Sequence, residues 1–513
     1  MRTTMEKRMD SVLIARIAAF VLYLGFMIYI GLRNMKKNTS AGDFFLGGRQ
    51  VGPWVTALSA EASDMSGWLL MGLPGLAYLG GMKEAFWTAV GLAAGTYLSW
   101  LIVAKPLRKC TAAFGNAITI PEFLTNRFND RRHLIATIMV VFNLLFFTIY
   151  VASGFVACAK LFNSVFALPY HVGLVIGLVV ILAYTITGGY RAVCSTDFVQ
   201  GALMFVALII TGAVMLFVLG GPTAAWEQVQ NFSQRAMAGE FNGVSEKMQD
   251  AFTRNQHFGA VSVISSIVWG LGYFGMPHFI VRFMGIRSAK DVKISRRIAI
   301  VWVIIALGVA VIVGSLGTVY LPQILSTSAA ETVFSESIKQ MFPAFIAGIF
   351  LCAILAAAMS TADSQLLVAS SSFSQDIYKG LLKKDATDED VLKASRVAVL
   401  VIAALAFCIS LNQNSSIFSL VSYAWAGFGS TIGPLILLAL FWKRTTRNGA
   451  LVGLIVGAVT VIVWHSLSGG IFDVYEILPG FAFCLIAAVI VSLCGKPDKD
   501  TVRKFEAYQT LAD

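Results

Sequence analysis

Thirteen separate stretches of this chain are long enough and apolar enough to cross a lipid bilayer. A spanning helix needs roughly 20 consecutive, mainly apolar residues. The stretches cover residues 11–33, 51–80, 84–104, 134–165, 170–190, 198–219, 258–284, 298–320, 343–373, 394–411, 416–442, 448–468 and 472–494. Hydropathy therefore alternates between membrane-length runs and short polar connections, not between domain cores and linkers. Only 13% of the 513 residues are charged, against roughly 25% in a soluble domain. Backbone polar groups find no water in hydrocarbon, so each span has to be helical. An ordinary soluble enzyme is excluded and no length remains for a catalytic domain. The expected fold is an all-α integral membrane protein of about 13 transmembrane helices. Arg2, Lys7 and Arg8 give the first run the look of a signal peptide, but its apolar stretch is too long and no small-x-small cleavage site follows.

The net charge of +11 would point to nucleic acid in a soluble protein; here it is read as topology, and no nucleic-acid partner is expected. Leaving out Arg16, one side of a thirteen-span chain collects 29 Lys and Arg and the other 9. The rich side includes Arg33, Lys36 and Lys37, the group Lys105, Arg108 and Lys109, and Arg282 through Arg297. Basic loops stay in the cytoplasm, which places the N-terminus outside and the C-terminus inside the cell membrane, although the three N-terminal basic residues favour the reverse. The seven cysteines and five histidines are scattered, so neither a disulfide framework nor a metal cluster is expected. Residues 220–257 are expected to be external. In the internal stretch 374–393, Thr387 followed by Asp388, Glu389 and Asp390 reads as the start of a short helix, and the tail from Lys496 to Asp513 reads as a solvated segment.

Two spans are too rich in glycine, proline and polar residues to be plain lipid-facing helices: Ala57 to Gly75, containing Glu61, Asp64, Ser66 and Pro74, and Ser265 to His278, containing three glycines and Pro277. Each opens a group of five spans, and because five is odd the groups run in opposite directions. That is the pattern of an inverted repeat with paired broken helices at the bilayer midplane. The implied organisation is a flanking helix and loop over 1–50, repeats over 51–219 and 258–442 separated by the 220–257 loop, and two flanking helices with a tail over 443–513. Glycines also serve close helix packing, but unwinding two corresponding helices calls for something to receive the freed peptide groups. Carbonyls suit a hard cation such as Na⁺, and a half-helix N-terminus suits a carboxylate.

Asp64 lies in the first break, where a carboxylate costs at least ~2.5–3.5 kcal/mol without a cavity or partner. Glu61 is one turn earlier and its role is open. Asp197 follows Gly188-Gly189-Tyr190-Arg191 and is read either as a partner for Arg191 or as part of an ion path. Ser360 and Thr361, one turn beyond Ala357, either bond back to their own helix or supply half an oxygen shell for a small cation. Phosphate-loop, zinc-protease and serine-hydrolase motifs are missing, which leaves transport driven by an ion gradient, without a cofactor.

An ordered set of motifs resembles the solute:sodium symporters from about Asp43 to Phe505. It comprises Phe44-Phe-Leu-Gly-Gly-Arg49, Ala62-Ser-Asp-Met-Ser-Gly-Trp68 with its continuation to Gly75, Phe146-Phe-Thr-Ile-Tyr150, Trp269-Gly-Leu-Gly-Tyr-Phe-Gly275, Ser422-Tyr-Ala-Trp-Ala-Gly-Phe-Gly429, Thr446-Arg-Asn-Gly-Ala450 and Tyr475-Glu-Ile-Leu-Pro-Gly-Phe481. The resemblance implies a LeuT-type core of five plus five inverted helices, with Na⁺ as coupling ion and L-proline as substrate. It implies a sodium site of the Ala62, Met65 and Ala357 carbonyls with the Ser360 and Thr361 hydroxyls, and coupling roles for Asp64, Arg49 and Asp197. Proline is implied near Ser66, Gly67, Trp68, Tyr150, Trp269, Tyr273 and Pro277. Aromatic rings suit a pyrrolidine and its secondary ammonium, at ~0.5–2 kcal/mol per cation–π contact. Rival readings are a family symporter for another solute, a proton-driven carrier using Glu61, Asp64 and Asp363, and a membrane-embedded enzyme or sensor.

Overall fold

The computed structural model describes residues 4–35, 40–240 and 244–509; Arg2, Lys36 and Lys37 of the topology argument and the end of the tail lie outside them. Among the described residues there are no strands, and ten helices are each long and apolar enough to cross a membrane. The other three expected spans, 51–80, 170–190 and 258–284, are the two broken helices and the first arm of Tyr170–Val218, which bends where Gly189 adopts φ 63°. The two broken helices fall short of a single long apolar run because breaks divide them; counting the bent second one as a span gives up to eleven among the described residues, roughly in line with the thirteen expected.

The broken helices lie at the centre of the bundle. The first comprises Pro53–Gly67, a widened turn over Trp68–Gly72, and Leu73–Gly80. The second comprises Ala260–Ile267, a tightened segment Val268–Phe274, and Pro277–Gly285. Their ends on one side are joined by backbone pairing: Val51 N–H donates to the Gly285 carbonyl at 3.3 Å and Arg287 N–H to the Val51 carbonyl at 3.0 Å. Helix Met82–Leu98 runs against the second break with glycines four residues apart. A Cβ on Gly91 would collide with the Ile267 backbone, and one on Gly95 with the backbone of Gly270. Small residues at this spacing let two membrane helices approach to backbone contact.

Two expectations for polar segments need correction. Thr387 does cap a helix, and a reciprocal capping box with Asp390 is present, but the helix is the continuous Asp388–Ile409 and not a short separate one. The tail is not a solvated segment: Lys499–Gln509 is a helix with Phe505 and Tyr508 buried. Its dock is Arg127, whose guanidinium lies 4.5 Å from the Phe505 ring and 5.5 Å from both Phe114 and Phe128. Arg127 also donates to the Ala439 and Trp442 carbonyls, where Ile417–Phe441 ends and its last carbonyls need donors. Burial lowers this guanidinium to about 10, so it is charged at neutral pH. Residues 220–257 form two helices, Pro222–Met237 and Glu246–Gln256, held by a small cluster in which Phe232, Met248 and Phe252 pack with Tyr78 and Val333.

Filling the Gly95 contact tests this packing. Gly95→Ala should lower stability by about 1–3 kcal/mol through overpacking, read as a lower melting temperature of the detergent-purified protein, whereas Gly25→Ala, where a Cβ meets nothing within 4 Å, should not.

Candidate functional site

The first break is a single residue deep. Ser66 has φ 49° and ψ −172° inside an otherwise helical run, a region that costs a non-glycine residue about 1–3 kcal/mol. Its own hydroxyl accepts the Trp68 N–H at 3.1 Å, and the Met65 carbonyl also accepts from that group. Side chains from other helices take two of the remaining polar groups, while Asp64 Oδ1 and the Trp68 indole N–H are buried without a partner. Tyr150 donates its hydroxyl to the Asp64 carbonyl at 3.1 Å, and Tyr273 donates to Asp64 Oδ2 at 2.6 Å.

Below this, Ser360 Oγ lies 2.8 Å from the Ala62 carbonyl and 3.3 Å from the Ala357 carbonyl. Ser360 thus bonds back to its own helix and across to the broken one. Thr361 does neither: its hydroxyl is buried without a partner. A leucine or valine would fill that position without leaving a polar atom unsatisfied. Carbonyls and hydroxyls from two facing helices form a neutral oxygen set of the kind hard cations take.

Aromatic residues collect on the other side of Asp64. Trp68 and Trp269 stand 5.5 Å apart between ring centroids, Phe418 packs against both at 6.0 and 5.3 Å, and Tyr475 stacks on Trp269 at 5.0 Å. Of these, Trp68 and Trp269 border a cavity of about 10 Å³ that Asp64, Met65, Tyr150 and Tyr273 also line, room for about one water. Three further residues, Leu92, Val421 and Trp425, complete the lining. Ser66, Gly67 and Pro277 are buried close by in the breaks but do not line the cavity. Motif reading had Trp425 in view within Ser422–Gly429 and assigned it nothing.

Asp197 does not pair with Arg191, which instead donates to the Gly47 carbonyl and Gln50. Its partner is Arg282, at 3.1 Å with both side chains fully buried, and Ser59 donates to the same carboxylate oxygen at 2.6 Å. Arg282 further donates to the His278 carbonyl and to Ser364. Counting Arg282 with the basic loop from 282 to 297 was therefore wrong; the signal lay in its apolar neighbours Val281 and Phe283, which mark an intramembrane position. Asp363 is buried with neither oxygen partnered, and Glu61 accepts from the Trp100 indole at 3.1 Å.

Both ends of the core are covered. Arg49, with φ 54°, donates to the Met284 carbonyl at 2.9 Å, the Ala117 carbonyl at 2.8 Å and Thr111 at 3.2 Å. Burial and then the nearby Arg108 lower its guanidinium to about 10. At the opposite end Glu331 pairs with Lys160 and accepts from Ser416 and from the Phe418 N–H.

Breaking a buried pair leaves an uncompensated charge, so Asp197→Ala should destabilise the protein by about 3–5 kcal/mol. In a double-mutant cycle with Arg282→Met, measured by thermal unfolding, the two losses should be strongly non-additive, and additivity would contradict the pairing.

The sodium:solute symporter family matches residues 44–457. The chain is 43% identical over 496 residues to a sodium/proline symporter of Haemophilus influenzae, covering 95% of this chain and 96% of that one. It is 44% identical to a high-affinity proline transporter of Bacillus subtilis, covering 94% and 99%. A solved Na⁺-coupled sialic acid symporter superposes with a TM-score of 0.74 at 23% identity, over 94% of this chain and 99% of that one. A nucleobase-cation-symport-1 family transporter gives 0.52 at 14%, over 90% and 97%. The fold is thus the LeuT-type arrangement expected, and the chain belongs to the sodium:solute symporter family.

Proposed function

We propose that this protein carries L-proline together with Na⁺ into the cell by alternating access. The observation that carries the reading is the Ser360 hydroxyl joining the Ala62 and Ala357 carbonyls beside the unpartnered Thr361, one turn from a carboxylate that holds an aromatic substrate wall. Relatives named for proline, 43–44% identical over nearly the whole chain, supply the substrate.

In this mechanism Na⁺ is held by the carbonyls of Ala62, Met65 and Ala357 and the hydroxyls of Ser360 and Thr361. Ser360 then gives up its bonds to the two carbonyls and turns its lone pairs to the ion. Asp64 supplies negative charge near the ion and, through Tyr273, senses the second broken helix. Proline lies among Ser66, Gly67, Trp68, Tyr150, Trp269, Tyr273 and Pro277, with its ring against the indoles. Trp68 and Trp269 have to separate for it, since the present cavity is smaller than a pyrrolidine. Asp197 lies on the sodium path and Arg49 couples the site to the cytoplasmic end, where its bonds to the Met284 and Ala117 carbonyls break on inward opening.

The repeats are taken to run over 51–219 and 258–442, with the external loop 220–257 between them and flanking segments 1–50 and 443–513. With Arg282 taken out of the loop count, the 28-to-9 division of basic residues supports a cytoplasmic C-terminus and an external N-terminus in the cell membrane. One Na⁺ moving through ~100 mV gains ~2.3 kcal/mol, and a tenfold gradient adds ~1.4 kcal/mol. Tight one-to-one coupling therefore supports accumulation of about a few hundredfold.

Uptake of labelled proline into proteoliposomes should require an inward Na⁺ gradient and fall to background when choline replaces Na⁺. Ser360→Ala and Thr361→Ala should each raise the Na⁺ concentration for half-maximal uptake about tenfold or more, given ~1.5–3 kcal/mol for a bond to a charged group. Asp64→Asn should do likewise; unchanged sodium dependence in all three would sink the ion site.

A further inference from the structure

We infer that Val421 and Trp425, both on helix Ile417–Phe441, decide which ring the substrate site accepts, and that Trp425 does so partly by fixing the carbonyl of Trp269. The inference deepens the proline reading above and rests on it.

Val421 and Trp425 stand four residues apart, hence on one face of the helix. Both are 2% exposed and both line the cavity bordered by Asp64, Trp68 and Trp269. They make a wall that belongs to neither broken helix. Trp425 is also wedged into the second break. Its indole N–H donates to the Trp269 carbonyl at 2.7 Å, an acceptor within the tightened segment Val268–Phe274. Its ring meets Tyr273 edge-on, with centroids 5.0 Å apart and planes at 81°, and it fills the space that any side chain at Gly272 would need. Tyr273 in turn donates to Asp64. The indole therefore sets the position of the two aromatic residues nearest Asp64 on this side, while Val421 presents its methyl groups to whatever lies between them.

The consequence for selectivity is steric. With about 10 Å³ free in this arrangement, a substrate ring has to fit between the Trp68 and Trp269 indoles and the Val421 methyls. One methylene in such an apolar pocket changes discrimination by about 10- to 200-fold. A four-, five- or six-membered cyclic imino acid differs from its neighbour by one methylene and shares the same carboxylate and secondary ammonium. Trp425 acts as a positioning residue: indole has a donor and no acceptor, and a phenyl ring in its place leaves the Trp269 carbonyl unpaired in a buried segment.

The test is competition against labelled proline uptake in proteoliposomes of the full chain, using azetidine-2-carboxylate and piperidine-2-carboxylate. Val421→Ala should narrow the preference for proline over the six-membered ring by about tenfold, and Val421→Ile should shift preference towards the four-membered ring. Trp425→Phe should raise the KM for proline by about two- to tenfold, the scale of one lost hydrogen bond, and loosen the ring-size ratio. A merely structural role would lower the maximal rate and leave KM and the ratios unchanged. Ratios within about twofold of wild type in both Val421 variants, or an unaltered KM in Trp425→Phe, would overturn the inference while sodium-driven proline uptake by the wild type stands. No such uptake by the wild type would overturn the proline reading and the inference with it.

Discussion

The structure depends on one unwound residue. At Ser66 a helix in the middle of the membrane stops being a helix, and every peptide group released there has to be satisfied without water. The partners come from far away in the chain. Tyr150 takes the Asp64 carbonyl, Ser360 takes the Ala62 carbonyl, and Ser66 uses its own hydroxyl for the Trp68 N–H. The one O–H of Ser360 is shared between two carbonyls in this arrangement, and because a hydroxyl oxygen also has lone pairs it can join those carbonyls around a cation in another. The break is thus a set of oxygen atoms with exchangeable partners. Helices without a break, such as Leu134–Phe166, supply the fixed frame.

Around this break the buried charged groups fall into two kinds. Asp197 is paired with Arg282, and Arg127 is held by helix-end carbonyls and three phenyl rings. Glu61 and Asp363 have no cationic partner given to them by this packing. Arg49 and Glu331, at opposite ends of the core, each tie several elements through backbone groups as well as side chains.

Much of this was legible in the sequence because the membrane makes composition informative. Apolar length gave the spans, and the polar residues at 57–75 and 265–278 located both breaks. Ser360 was readable as a cross-helix ligand candidate because two adjacent hydroxyls stand out in an apolar helix. Arg282 was misplaced because a single basic residue near a predicted helix end looks like a loop residue, and only its apolar flanks argue otherwise. The docking of Phe505 and Tyr508 was invisible because eleven residues of mixed charge carry no sign of what they cover. Val421 and Leu92 were unreadable for the converse reason: an aliphatic residue in a membrane helix looks the same whether it faces lipid or a cavity.

The clasp around Arg127 has a consequence for biogenesis. Phe505 follows every membrane-length helix in the chain, so during synthesis the guanidinium stands among Phe114 and Phe128 with its third ring missing. A chain without Lys499–Gln509 would present a cation and two phenyl rings at one face. Completion of the tail is therefore chemically marked, and a chain that stalls late differs from a finished one by a surface that a chaperone or protease can recognise.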